Sequence, residues 1–576
     1  MSQNNQYYGN VNLDLLEQIP LSAKRIMEFG CGSGELAAAY KLSNPKCTYV
    51  GVEYVQSVVE QARQKLDHVI CGNLEDLGLT LPLVENKKYD CLIYGDVLEH
   101  LRDPWSTLKR HLDLLADDGA LLICLPNVQH WKVISNLLQG QWPLADRGLF
   151  DRTHLRWFTR DSIVQWLDSL GFSIYSFKPR IFAPEQSQKF VSQLLPALHN
   201  LKLDSKKVLE GVSPLQYVVS ACRISKPSLV VDGFSTMNFA SMVDVRLAQP
   251  FRALATQPCV QTIIHMHEIK LRQKQKGVQR ILVWQRPILS LNKSDLDSIR
   301  TFLKFGYTIV MDWDDDPDHW PVLRAEDYVS FKMVHAIQVS KPELADMLRP
   351  LNPNIAVFVN MYEQVMPPKS LTSKQNTRGL RMFFGALNRE NDWAPLMKEL
   401  NRVFCLDPDF WSVSVVHDRA FYEALDLPPE CKSFVPTCSH ADYIKEMSYC
   451  DFAFLPLADN RFNRLKSDLK AVEAAANGLA VLASSVVYQS AVRDGITGGL
   501  FSSSMEMIQH LKDWRAIPEH VQNMGQNGYQ WVTAERMTAY QVQQREDWYR
   551  SLASQHQFLT RQLIERVPQL AHSTLS

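Results

Sequence analysis

Residues Arg25–Gly34, RIMEFGCGSG, carry a β-rich run straight into three glycines at alternate positions, and a helical pattern follows at once. A strand that must turn immediately into a helix needs left-handed backbone and an unsubstituted Cα, and glycine supplies both. The junction commits this stretch to a βαβ unit, because a parallel neighbour is reached only through a helical crossover. Short apolar runs alternate with helical segments through most of the remaining chain, so the expected fold class is α/β. At 576 residues the chain is too long for one hydrophobic core and divides into about three or four domains.

The first domain is expected at 1–225. Its strands are Arg25–Phe29, Cys47–Val52, Asp90–Tyr94 and Ala120–Cys124, closed by a pair within LGFSIYSF (170–177) and LQYVVSACRI (215–224). A polar, helical insertion occupies about 180–212, and Lys226-Pro227 marks the break. A second domain at 228–365 contains SLVVDGF, RILVWQR, YTIVMDW, HAIQVS and IAVFVN; the Pro/Ser/Thr/Lys-rich segment 366–379 reads as a linker. A third at 376–535 contains RMFFGA, FWSVSVV, CDFAFLPL and LAVLASS, and 536–576 reads as a helix and a frayed tail. The second and third stretches match in size and pattern, as two doubly wound sheets facing each other would.

Lys+Arg 61 against Asp+Glu 62 leaves a net charge of -1, which gives no electrostatic reason to expect nucleic acid or an anionic membrane as partner. Eleven scattered cysteines without a C-x-x-C pair point to reduced thiols. No apolar run approaches the roughly 18 residues of a spanning helix, and MSQNNQYYGN lacks a signal-peptide pattern. A cytoplasmic protein without a transmembrane segment is expected.

Gly30, Gly32 and Gly34 let backbone approach a ligand closely, and Glu53, ending the next strand, can accept from ribose hydroxyls. Asn73 and Leu74 follow the next probable strand, where an adenine edge would be met. Glu28 would repel a pyrophosphate but welcome a cationic amino-acid end. From about Tyr7 to Ile224 the chain resembles a class I S-adenosylmethionine-dependent methyltransferase, through EFGCGSG, GVEYVQSVVEQAR, GNLEDL, YDCLIYGDVLEHLRDPW and HLRWFTRDSIVQWLDSLGF. The resemblance implies a Rossmann-like sheet of seven strands with the last antiparallel. It also implies S-adenosylmethionine at the carboxyl ends, lined by Glu28, Gly30, Gly32, Gly34, Glu53, Asn73, Leu74 and Asp96.

Methyl transfer needs a nucleophile held in line and, where required, a base. Asp96, Glu99 and His100 have i, i+3, i+4 spacing, which on a helix gives them one face. His100 is the first candidate base, ahead of His130 and His154. A divalent metal at this set, as in methyltransferases of the ubiquinone-biosynthesis type, is not favoured; in the plainer reading Asp96 caps the helix and His100 packs on a substrate loop.

In NRFNRLKSDLKAVEAAANGLAVLAS (460–484), Ser467 is expected to cap a helix whose free amides meet phosphate, with Lys466 and Lys470 adding charge and Glu473 lying two turns in. This region resembles the donor half of a GT-B glycosyltransferase of bacterial surface-polysaccharide type, through RMFFGALNRENDW, FVPTCSHADYIKEMSYCDFAFLPL, KSDLKAVEAAANG and DGITGGLF. By that resemblance Arg389 and Lys466 would meet a donor diphosphate and Glu473 would hold ribose. Leu465 stands at the first acidic place of the family's Glu-x7-Glu pair, and Gly385-Ala386 replaces its Gly-Arg.

In MDWDDDPDHWP (311–321), Asp314 or Asp315 is a candidate acceptor contact or base, and capping by the Asp-rich turn is the alternative. His265 and His267 would share one strand face, and Trp313 and Trp320 would either stack on sugar or sit in the core. Together these readings predict a bifunctional glycan-modifying enzyme using S-adenosylmethionine and a nucleotide sugar on a small-molecule, glycan or lipid-linked acceptor, soluble or peripheral at the inner membrane face. The alternative is a methyltransferase carrying a catalytically degenerate GT-B glycan-binding module.

Overall fold

The computed structural model describes residues 11–76, 88–223, 226–236, 243–366 and 379–573, so most of the expected linker at 366–379 lies outside the described residues. The chain forms two compact units. The first gathers the chain up to Pro227, apart from residues 42–44, together with residues 255–260; the second gathers the rest.

The first unit is built on β1 (Arg25–Phe29), β2 (Thr48–Glu53), β3 (His68–Cys71), β4 (Tyr89–Gly95), β5 (Leu115–Pro126), β6 (Ser173–Arg180) and β7 (Gln216–Cys222). They form one seven-stranded sheet in the order β3-β2-β1-β4-β5-β7-β6. β1 lies parallel to β2 and β4, whereas β7 runs antiparallel to both β5 and β6. This is the seven-stranded sheet with an antiparallel last strand that the methyltransferase resemblance implies. β1 is covered on both faces, with Ile26, Met27, Glu28 and Phe29 all buried, as a central parallel strand must be. Strand order reverses beside β1, so a crevice opens at the carboxyl ends of β1 and β4. Between β6 and β7 stand the helices Pro184–Asn200 and Ser205–Val212, whose Val191, Leu198 and Val212 pack with Trp131 and Ile134 of the helix Trp131–Leu138.

The second unit holds two six-stranded sheets. One comprises β8 (Ser228–Ser235), β9 (Val260–Met266), β10 (Val278–Gln285), β11 (Thr308–Trp313), β12 (Ala336–Val339) and β13 (Ile355–Val357), in the order β13-β12-β11-β10-β8-β9. The other comprises β14 (Leu380–Gly385), β15 (Trp411–Val416), β16 (Lys432–Val435), β17 (Phe452–Leu455), β18 (Ala480–Ser484) and β19 (Gly498–Phe501), in the order β16-β15-β14-β17-β18-β19. Order reverses next to the first strand of each, so both sheets are doubly wound, and the α/β class with a Rossmann-like domain followed by two doubly wound sheets stands.

The chain's end differs from the frayed tail expected. The helices Val542–Ser554 and His556–Arg566 return to the β8–β13 sheet, where Leu563, Val567 and Leu570 are buried among Ile309, Met311 and Phe331. Tyr549 Oη donates to Gln338 Oε1 at 2.7 Å within the same layer. Among the described residues no helix is long and apolar enough to cross a membrane.

Candidate functional site

At the end of β1 the three loop glycines have φ of +75° (Gly30), +52° (Gly32) and +82° (Gly34). A Cβ on Gly34 would lie 2.3 Å from Leu66 Cδ1, so neither conformation nor space admits a side chain there. Glu53 ties this loop to the end of β2. Its Oε2 accepts from Gly32 N at 3.0 Å, and its Oε1 accepts from Tyr54 N at 2.9 Å and Val55 N at 3.0 Å. Beside it, Glu28 is buried and accepts from Tyr49 Oη at 2.9 Å. Burial pushes the Glu28 carboxyl up to about 8, against the Tyr49 hydrogen bond and with a further push from Glu53. Past β3, Asn73 Oδ1 accepts from Glu75 N at 3.1 Å and its Nδ2 donates to Asp76 Oδ2 at 2.9 Å, while Leu74 is buried.

Asp96, Glu99 and His100 do not share a helical face. Leu98–His100 is a single 3-10 turn, and Asp96 precedes it in the left-handed region at φ +54°. Nor does Asp96 cap the turn: Val97 holds that position, and Asp96 Oδ1 accepts from Gln216 Nε2 on β7 at 2.5 Å. Glu99 is buried, and its carboxyl is held well above the usual range by burial and then by Asp96. Its Oε2 has no hydrogen-bond partner among the described residues. His100 Nδ1 lies 2.9 Å from Thr153 Oγ1, and its ring meets that of His154 edge-on at 4.8 Å. His130 caps the helix Trp131–Leu138, accepting from Lys132 N at 3.3 Å, and burial lowers its imidazole to about 4. Its Nδ1 is thereby committed to the cap.

In the second unit, the helix Leu469–Ala476 and the end of β14 bring together Lys470 and Glu473. Lys470 Nζ donates to Gly385 O at 2.5 Å and to Tyr443 Oη at 3.3 Å. Burial lowers its amine, Arg389 adds to that, and Glu473 opposes it. Arg389 Nη1 donates to Asp392 Oδ2 and Asn463 Oδ1, each at 3.1 Å. Lys466 Nζ lies 3.9 Å over the Phe462 ring. Burial lowers that amine to about 8, Arg389 and Arg286 push the same way, and Asp315 and Asp314 oppose them. Glu473 is buried, with Oε1 2.9 Å from His440 Nε2.

Ser467 is not the helix cap. The helix begins at Leu469 with Asp468 at the cap position, and Ser467 Oγ accepts instead from Asn360 Nδ2 at 2.9 Å. Asp468 is held by both Arg536 Nη atoms, at 2.7 and 2.8 Å. A cavity of about 950 Å³ adjoins this loop, lined by Lys466, Ser467, Asp468, Asp392, Ser484 and Ser502 among others. Arg389, Lys470 and Glu473 lie outside it.

The acidic run after β11 separates by role. Asp312 is fully buried and paired with Arg246 at 2.6 Å, and Asp316 caps the turn Pro317–His319. Asp314 Oδ1 accepts from Arg286 Nε at 2.7 Å, and Asp315 lies 3.6 Å from Arg286 Nη1. Trp313 is core: its Nε1 donates to Asp315 O at 2.7 Å and its ring meets Phe331 and Trp320 edge-on. The shared face expected for His265 and His267 fails, because β9 ends at Met266 and His267 turns away at φ +66°. His265 pairs with Asp232 at 3.1 Å instead.

Residues 5–176 match the family model of a methyltransferase domain. The first unit carries a methyltransferase domain. Over 161 residues the chain is 21% identical to the ubiquinone biosynthesis O-methyltransferase of Coxiella burnetii, covering 27% of this chain and 67% of that one. Over 123 residues it is 32% identical to an uncharacterized 37.1 kDa protein in transposon TN4556 of Streptomyces fradiae, covering 21% of this chain and 34% of that one. The chain therefore spans about a third to two thirds of the length of these relatives. Among solved structures, Anabaena Alr3699/HepE in complex with UDP and glucose matches 56% of this chain and 99% of its own at 13% identity, with a TM-score of 0.41.

Three side chains enter these sites without having been recognised from sequence as partners. In the methyltransferase domain, His154 joins Glu99 and His100 so that their ligand atoms lie within 4.8 Å of one another. In the second unit, Arg286 meets Asp314, and His440 meets Glu473. Each sits on a segment remote from its partner, and only His154, which opens the HLRWF phrase and is itself a candidate base, carries a signal in the sequence.

Proposed function

We propose that the chain is a two-activity glycan-modifying enzyme, transferring methyl from S-adenosylmethionine in its methyltransferase domain (1–225) and a glycosyl group from a nucleotide sugar in its second unit. In the second unit, 228–365 would serve the acceptor and 376–535 the donor, with 536–576 returning to the acceptor side. The observation that carries the first half is the pairing of Glu28 and Glu53 at adjacent strand ends around a glycine loop locked in left-handed backbone. S-adenosylmethionine supplies an electrophilic methyl on a cationic sulfur. Glu28 meets its cationic amino end, Glu53 its ribose, and Asn73 and Leu74 the adenine edge. His100, with Nδ1 engaged by Thr153, accepts the acceptor proton at Nε2.

A second reading of the same crevice is favoured by two buried polar atoms without partners among the described residues, Glu99 Oε2 and His154 Nδ1. Glu99, His100 and His154 would then hold a divalent cation that acidifies an acceptor hydroxyl. Manganese or zinc titration after chelation decides between the two, since a site lost in His154→Ala supports the cation and absence of binding leaves His100 as sole base.

For the second half, Arg286, Arg389 and Lys466 supply charge for a diphosphate, Glu473 holds ribose, and Asp314, paired to Arg286, is the acceptor base. Leu465, which packs partly buried in the apolar layer of the β8–β13 sheet, cannot replace the missing acid, so donor binding without transfer is the competing outcome. Both co-substrates are cytoplasmic metabolites, which sets the work in the cytoplasm or at its membrane face. Ligand-dependent melting tests both halves. A rise with S-adenosylmethionine lost in Glu53→Ala, and a rise with a nucleotide sugar lost in Glu473→Ala, supports two pockets. A rise with the first ligand alone supports the degenerate module.

A further inference from the structure

Glu473 is nine-tenths buried, and one of its two oxygens is already engaged. The bond comes from His440, the first residue of the helix His440–Met447, whose Nε2 lies 2.9 Å from Glu473 Oε1. The other ring nitrogen, Nδ1, lies 3.8 Å from Asp244. Asp244 is itself fixed by Gln249 Nε2 at 3.0 Å and by Arg252 at 3.2 Å. The imidazole also lies near-parallel to Tyr443, at 15° with centroids 6.2 Å apart. Nε2 is thus engaged by Glu473 while Nδ1 faces the Asp244 carboxylate, and the ring runs nearly parallel to Tyr443.

We infer that His440 is the positioning residue of the second unit's nucleotide site, holding the Glu473 carboxylate so that its other oxygen faces a ribose hydroxyl. This rests on the reading of Glu473 as the ribose-binding carboxylate. A buried carboxylate free to rotate would present no fixed oxygen to a ligand, whereas a donor on Oε1 leaves Oε2 to the ligand. Glu473 and Asp244 raise the His440 imidazole, while burial and Lys470 oppose them, so the pairing with the carboxylate favours a proton on the ring nitrogen that faces Oε1. A charge-assisted bond to a buried acceptor is among the stronger hydrogen bonds a side chain makes.

The test is calorimetric binding of UDP, GDP, ADP and CDP to the full chain, then of the 2′,3′-dideoxy form of whichever binds best. The wild type is expected to prefer the ribose form by about tenfold or more. His440→Ala should reduce that preference to about threefold or less while leaving affinity for the dideoxy form unchanged. His440→Gln, which can still donate to Oε1, should restore most of it. A preference unchanged in a folded His440→Ala chain overturns the inference while leaving the ribose reading of Glu473 intact. If none of the four diphosphates binds the wild type, the nucleotide reading of the second unit fails and His440 loses its role with it.

Discussion

At the residue scale, Glu28 gives the methyltransferase domain a measurable proton signature. Folded, its carboxyl keeps the proton up to about pH 8, because burial opposes ionisation. A cationic amino group brought alongside favours the charged form, so binding S-adenosylmethionine at pH 7 should release close to one proton per chain. Titration heats in two buffers of different ionisation enthalpy measure it, and Glu28→Gln should abolish it. Stability follows the same linkage. The unfolded chain loses this proton near 4.5 and the folded chain near 8, so the contribution is complete below 4.5 and is lost as pH rises through 8. Glu28→Gln should therefore raise the melting temperature of the domain relative to wild type near pH 9 and make little difference near pH 4.5.

At the scale of elements, local signals were legible and distant ones were not. The β1–loop–helix junction announces itself within ten residues, and Glu53 reaches Gly32 across 21, inside one βαβ unit. The bonds that complete the sites span farther: 28 residues for Arg286 and Asp314, 33 for His440 and Glu473, and 53 for Thr153 and His100. Ser467 looked like a cap because its neighbours are helix formers, but Asn360, 107 residues earlier, takes its hydroxyl and the helix starts two residues later. The end of the chain reads as a helix and a frayed tail because the apolar spacing of Leu559, Leu563, Val567 and Leu570 shows no partner in the sequence. That partner is a sheet more than 200 residues upstream, which His335 joins to Thr560 across 225.

The helix that carries Lys470 and Glu473 is braced by the helix Pro518–Glu535. A Cβ at Gly525 would lie 2.1 Å from Gly478 O, so the two can approach only without it. Gly525→Ala should cost about 1–3 kcal/mol. It should lower the melting temperature of the second unit and weaken nucleotide binding, with S-adenosylmethionine affinity unchanged.

For the whole molecule, the central claim is that one chain holds two competent and chemically different pockets. One sits at the carboxyl ends of β1 and β2, and the other beside the helix Leu469–Ala476. The most direct measurement is sequential calorimetric titration of a single preparation, first with S-adenosylhomocysteine and then with the nucleoside diphosphates. Two independent isotherms, each saturating near one ligand per chain and the second unaltered by the first, are the predicted result. A chain that takes up only one ligand, or whose second ligand displaces the first, contradicts it.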